Sequence, residues 1–147
     1  MYKIIEKQAF KLVGLSVRTI NSGGQSTRDI SQLAANFFDD DFPNLIPNRT
    51  DNQIYLIYTD YEHDHDAHYT AYIGCRVSTY EGVDAALERK DIAGGKFALF
   101  KPMTQELDEV MGIWTQIGRG HPGLTRRFAA DYNVNTIDGI EVYVSIQ

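Results

Sequence analysis

One order of elements occurs twice in this chain: a strand-like run, an amphipathic helix pattern, then two more strand-like runs. In the first half, "YKIIEKQAFKLVGLSVRT" reads as one long strand or two segments, with Gly14 where a bulge or kink belongs. The turn residues "SGGQSTRD" follow, with Ser26 or Thr27 as an N-cap and Asp29 near the helix start. Ile30, Leu33, Ala34 and Phe37 then recur at helical spacing, and "NQIYLIYTDY" and "HYTAYIGCRVST" are β-rich. In the second half "GGKFALFKP" is the strand, and "TQELDEVMGIWTQIG" is the helix. Its stripe is Leu107, Val110, Met111, Trp114 and Ile117, with Thr104 as a cap. "TRRFAADY" and "GIEVYVSIQ" close it as two strands. "YEGVDAALERKDI", between the halves, reads as a short helix or turn. The expectation is one domain over residues 1–147, with half-repeats of about 2–79 and 80–147.

Period-two alternation gives these strands two unlike faces. Ile140, Val142, Val144 and Ile146 share one face of the last strand, and Glu141, Tyr143 and Ser145 share the other. Ala71, Ile73, Cys75 and Val77 stand opposite Thr70, Tyr72, Gly74 and Arg76. The aliphatic faces are expected to pack on the two helices. The fold class read from this is α+β, a tandem pseudo-symmetric βαββ repeat forming an antiparallel sheet with helices on one face. The face bearing Tyr72, Tyr143 and Glu141 then looks away from the helices, either into water or onto a ligand.

Charge narrows the partners. The formal net charge of -6 argues against direct nucleic-acid binding, because phosphate contacts need clustered Lys and Arg. Cys75 is the single cysteine, so no intrachain disulfide forms. No basic-then-apolar leader opens the chain and no run approaches the ~20 apolar residues of a membrane span. A cytoplasmic protein with no membrane partner is therefore expected.

The segment "DYEHDHDAHY" packs His63, His65 and His68 among Asp60, Glu62, Asp64 and Asp66. It offers metal-ligand chemistry without the fixed geometry and supporting shell of a metal centre, and reads as a hydrated hairpin loop with no metal. "GGQST" lacks the lysine of a phosphate-binding loop and reads as a turn with an N-cap. Cys75 sits in an aliphatic stripe and reads as a buried hydrophobe. No cofactor is implied. The aromatics weigh more: nine Tyr, seven Phe and one Trp, several sharing strand faces with acids nearby. Tyrosine is costly to bury unless its hydroxyl finds a partner, so such a set resembles a lined cavity. A box of rings suits a flat or lipophilic cation, with Asp131 or Glu141 as counter-charge and Glu62 behind them.

The landmarks "LVGLSVRT", "YTAYIGCRV", "AGGKFALF" and "IEVYVSI", in this order, resemble the effector-binding domains of AraC- and MerR-type multidrug-responsive activators and the gyrase-inhibitor-like proteins. The similarity runs from about Tyr2 to Gln147. With no helix-turn-helix domain before or after it, the chain resembles a standalone member, some of which are carried on mobile integron cassettes and bind cationic drugs. The resemblance implies a pocket on the sheet lined by aromatic residues and an acid. Position by position it implies Tyr143, Tyr72 and Phe97 as lining residues. The family's acid stands in a Phe-Glu-x-Tyr motif; here the stretch reads "FAADY", with Ala130 at the acid's place and Asp131 beside it. The ligand-binding set expected from both readings is Tyr58, Tyr72, Phe97, Trp114, Asp131, Glu141 and Tyr143.

The function expected is capture of a small lipophilic or aromatic cation, for sequestration or transcription-linked sensing. Two alternatives stand beside it. A hydrolase branch of the superfamily would use Glu141 or Asp131 as general base, although no matched acid and base pair is visible. A gyrase-inhibitor-like protein, or a partner of a transcription factor, would use the acid clusters at 39–41 and 60–66 against a basic protein.

Overall fold

Strict alternation of apolar and polar residues sets up most of the strands, and the two helical stripes cover one side of the sheet they form. The structure is a computed structural model and describes residues 2–64, 66–104, 106–121, 123–136 and 139–147, without the side chain of Leu107. In chain order the elements are β1 (Tyr2–Lys7), β2 (Phe10–Thr19), α1 (Gln25–Asp39), α2 (Phe42–Leu45), β3 (Ile54–Thr59), β4 (Tyr69–Val77), β5 (Glu88–Ile92), β6 (Gly95–Phe100), α3 (Leu107–Gly118), β7 (Ala130–Thr136) and β8 (Gly139–Ser145).

The strands form one sheet in the order β1-β6-β8-β7-β3-β4-β2-β5, and neighbours are antiparallel throughout. The order reads symmetrically about the β7–β3 seam. β1 corresponds to β5, β6 to β2, β8 to β4 and β7 to β3. The first strand of each half is exchanged: β1 pairs with β6, and β5 pairs with β2. Only residues 8–9 join β1 to β2 and only 93–94 join β5 to β6, although these strands lie towards opposite edges. Links this short, at 3.8 Å per Cα step, force the edges together and curl the sheet. The two links press on each other at Gly94, where a Cβ would fall 2.5 Å from both Ala9 N and Lys7 O. Gly14 and Gly74 face each other across β2 and β4, and a Cβ on either would strike the opposing backbone. Gly14 thus marks a close approach of two strands.

The outer face carries the helices. Leu33 and Phe37 of α1 pack on Val13, Ala71, Ile73, Cys75 and Val77. Val110 and Ile117 of α3 pack on Ala98, Phe100, Val142 and Val144. This is the α+β arrangement that the alternation predicts, with the aliphatic faces against the helices. The inner face carries a third cluster, dominated by Phe10, Tyr55, Phe97, Tyr132 and Tyr143. Phe10 and Tyr132 lie three strands apart in the sheet order, about 14 Å if the sheet were flat, yet their ring centroids are 5.7 Å apart. The curl brings them together.

Several local expectations shift. α1 starts at Gln25, with Gly24 as N-cap at φ 73 and no side-chain cap bond; Thr19 Oγ donates to Asp29 and ties the helix start to β2. α3 starts at Leu107, later than a Thr104 cap implies. Glu109 reaches back to accept from the backbone N–H groups of Met103 and Thr104. Met111 leaves the stripe and is 53% exposed. "RKDI" is not helical but belongs to β5, an edge strand whose charged residues guard its free side. "TRRFA" is irregular, and β7 begins only at Ala130.

Candidate functional site

The seven residues expected at the site divide between the two faces of the sheet. Tyr72, Phe97, Glu141 and Tyr143 belong to the inner face, with Tyr72 packed against the inner cluster. Tyr58, Trp114 and Asp131 are placed on the outer face. Parity explains the division. Tyr58 and Asp131 pair across the β3–β7 seam, and both alternate with the inner-face residues Ile57 and Tyr132.

On the inner face five buried rings are linked through Tyr132. It stacks on Tyr143 at 4.8 Å and meets Phe97 at 5.5 Å, Phe10 at 5.7 Å and Tyr55 at 6.2 Å. The hydroxyls on either side are satisfied. Tyr55 donates to Asp51 at 2.9 Å, and Tyr143 donates to Glu141 at 3.0 Å. Burial first, and these carboxylates second, raise both phenols above their ordinary range. The Tyr132 hydroxyl is buried and has no hydrogen-bond partner among the described residues.

Four inner-face rings each carry a cationic side chain of the protein. Lys7 Nζ stands 5.2 Å from the Tyr143 centroid and Arg76 Cζ 5.0 Å from Phe10. Lys90 stands 5.8 Å from Tyr72 and Arg127 5.9 Å from Phe97. The Lys7–Tyr143 and Lys90–Tyr72 pairs correspond under the pseudo-symmetry, β1 with β8 and β5 with β4. They differ in one respect. Lys90 is clamped by both oxygens of Asp60, at 3.0 and 2.9 Å, whereas Lys7 has no carboxylate within 4.0 Å among the described residues. Burial, then the charge of Arg76, lowers the Lys7 pKa. A surface hollow of about 410 Å³ opens beside Phe10 and Arg76, bounded also by Lys11, Thr50, Ser78 and Asp91. A second, of about 260 Å³, lies by Gln116 and His121 and touches none of the expected site residues.

On the outer face Asp131 is fully buried and saturated. One oxygen accepts from Ser145 N at 2.7 Å and Ser145 Oγ at 3.0 Å; the other accepts from the Tyr61 hydroxyl at 2.6 Å and Arg126 at 2.7 Å. Arg126 lies 4.2 Å over Phe128, whose backbone is held at φ 55. Trp114 donates to Asn133 at 2.9 Å and meets Tyr58 edge-on at 5.3 Å. The Asp131 carboxylate is thus fully used, although Arg126 Nε is buried without a partner among the described residues, and the cluster ties the start of β7 and the end of β8 to the loop before them.

The acidic loop uses its groups locally: Asp60 holds Lys90, and Glu62 N donates to His68 O at 2.8 Å. His65 lies outside the described residues, and among those described no three potential ligands converge on a metal position. No helix of the described residues is long and apolar enough to cross a membrane, which says nothing of a β-barrel. The seven expected residues leave out Phe10, Tyr55, Tyr132, Lys7 and Arg76, of which alternation puts only Arg76 on the Tyr72 face. Alternation within "IYLIYT" and "ADYNV" held the signal for the two tyrosines. The curl that brings Phe10 and the cations to them has no local signature.

The fold is shared with solved structures of low sequence identity. An integron cassette protein from the mobile metagenome of Vibrio cholerae is 19% identical with a TM-score of 0.72, over 99% of this chain and 95% of that one. The protein SAV2435, solved bound to tetraphenylphosphonium, is 12% identical with a TM-score of 0.78, over 100% and 94%. A bacterial transcription-regulation protein from Staphylococcus aureus is 12% identical with a TM-score of 0.68, over 100% and 98%. No curated protein sequence matches the chain. The model of the integron-associated effector binding protein family matches residues 3–146, and the chain belongs to that family.

Proposed function

We propose that the inner aromatic face captures small, flat or lipophilic molecules carrying a positive charge, and does so by binding without turnover, for sequestration or transcription-linked sensing. The observation that carries this reading is the occupation of four inner rings by the protein's own Lys and Arg side chains. Ring faces that hold ammonium and guanidinium groups hold a ligand cation by the same quadrupole attraction, about 0.5–2 kcal/mol per face. The seat over Tyr143 is the exchangeable one. Its resident Lys7 is penalised by burial and by Arg76, and Glu141 stands on the same tyrosine as counter-charge. The hollow beside Phe10 and Arg76 is the way in, and its volume falls within the ~300–1,000 Å³ of ordinary ligand pockets. Tetraphenylphosphonium bound to SAV2435, on the same fold, supports the ligand class.

The test is calorimetric titration with tetraphenylphosphonium and with neutral triphenylphosphine oxide. Saturable binding of the cation, at least about fivefold tighter than the oxide and strengthened by Lys7→Met, is the expected result. Equal binding of the two would remove the charge from the reading and leave an aromatic receptor. Binding of neither, with the protein folded, would sink it.

A further inference from the structure

The inner face carries donors that lack an acceptor or a carboxylate among the described residues. Tyr132 places a hydroxyl in the middle of the ring cluster with no partner among the described residues, at a residue with no exposed surface. Buried hydroxyls are hydrogen-bonded in nearly all native proteins, and exceptions call for a missing partner. Two of its four ring neighbours lie under cations: Tyr143 under Lys7, and Phe10 under Arg76, whose guanidinium also meets the Tyr55 hydroxyl. Neither cation has a carboxylate within 4.0 Å among the described residues. Burial first and the charge of Arg76 second lower the Lys7 pKa, while Glu141 and Asp51 act the other way. The acids of the face are already used. Asp51 accepts from Tyr55 and from Gln53 N, and Glu141 accepts from Tyr143 and faces Lys101 at 3.4 Å.

A plain cation entering this face would bring no acceptor to Tyr132 and no counter-charge to Arg76. We infer that the ligand is amphoteric: an aromatic cation that also bears a carboxylate, which Arg76 receives as an ion pair and to which Tyr132 donates its hydroxyl proton. The inference rests on the reading of the inner face as the ligand site and adds the second half of the ligand's chemistry. A charge-assisted bond to Arg76 gives the carboxylate its affinity. The hydroxyl of Tyr132 gives selectivity, because a ligand lacking the acceptor leaves a buried donor unpaired.

Rhodamine B and its ethyl ester test it, since they share a flat cationic ring system and differ by the free carboxylate. Binding is followed by dye anisotropy at pH 7 and fixed ionic strength. The free acid is expected to bind about tenfold or more tightly than the ester. Arg76→Met is expected to abolish that ratio, and Tyr132→Phe, which keeps the ring, to reduce it severalfold while ester binding stays. An ester that binds as well as the acid would overturn the amphoteric ligand and leave the cation receptor standing. A preference for the acid that survives both substitutions would overturn the assignment to Arg76 and Tyr132. Binding of neither dye would overturn the inner face as a site, and this inference with it.

Discussion

Asp131→Asn separates a structural acid from a ligand-binding one. In the native protein the carboxylate accepts four hydrogen bonds, one of them a 2.7 Å ion pair with Arg126, itself only 10% exposed in its side chain. The asparagine carbonyl can keep the Ser145 N–H, which turns its NH₂ towards the Arg126 guanidinium, donor against donor. A buried arginine is left without counter-charge, at a cost of about 3–5 kcal/mol. With a urea slope of about 2 kcal/mol/M the unfolding midpoint drops by roughly 1.5–2.5 M. Arg126→Met attacks the pair from the other side and is expected to cost a similar amount. Urea unfolding followed by Trp114 fluorescence reads both. Tetraphenylphosphonium affinity, measured on the folded variant, is expected to stay within about twofold of the native value, because the acid faces away from the inner rings. A midpoint shift below about 0.5 M at unchanged slope would refute the stability argument. A loss of affinity of about tenfold at full folding would put Asp131 in the site.

Tyr132→Phe removes a buried hydroxyl that has no partner among the described residues, so the ligand-free protein is expected to gain about 1 kcal/mol, or roughly 2–4 °C in Tm by calorimetry. A loss of stability would mean the hydroxyl is satisfied in solution. Gly94→Ala drives a Cβ into Ala9 N and Lys7 O and is expected to cost at least about 2 kcal/mol in urea unfolding; a neutral effect would show that the two edge links are not pressed together. Burial pushes the Cys75 thiol up to about 11 from an ordinary 9.0. The unfolded thiol therefore ionises first, and stability falls as pH rises from 9 towards 11. Cys75→Ala is expected to make the alkaline fall shallower in that window, and an unchanged pH profile would count against a buried thiol.

The parts of the fold set by alternation and helical stripes were legible in the chain. Val142 and Val144, or Ala71, Ile73 and Cys75, announce a helix-facing side, and Leu33, Phe37, Val110 and Ile117 announce what packs there. The candidate site was half legible, because Tyr72 and Tyr143 share a parity with Glu141 and Arg76 that can be counted along each strand. Tyr58 and Asp131 were grouped with them by composition alone, and one residue of parity puts both on the other face. Charge complementarity was not legible at all. Nothing near Asp131 in sequence says that Arg126, Tyr61 and Ser145 will consume all of its acceptor capacity. The placement of Lys7 depends on exchanged edge strands, a feature of the whole sheet.

That exchange also explains why the inner face is chemically lopsided. Because β1 crosses to the second half and β5 to the first, each half receives one lysine from the other, Lys7 onto Tyr143 and Lys90 onto Tyr72. Symmetry alone would make the two seats equal. The acidic loop between β3 and β4 breaks the symmetry, since Asp60 closes the Lys90 seat with a bidentate contact. Among the described residues the second half has no such clamp on Lys7, and Glu141 is drawn to Tyr143 and Lys101. Asp60, at the start of the acidic loop, thus acts on the inner face from its edge. On the proposed function it is therefore Lys7 over Tyr143, and not Lys90 over Tyr72, that a ligand's positive charge would replace.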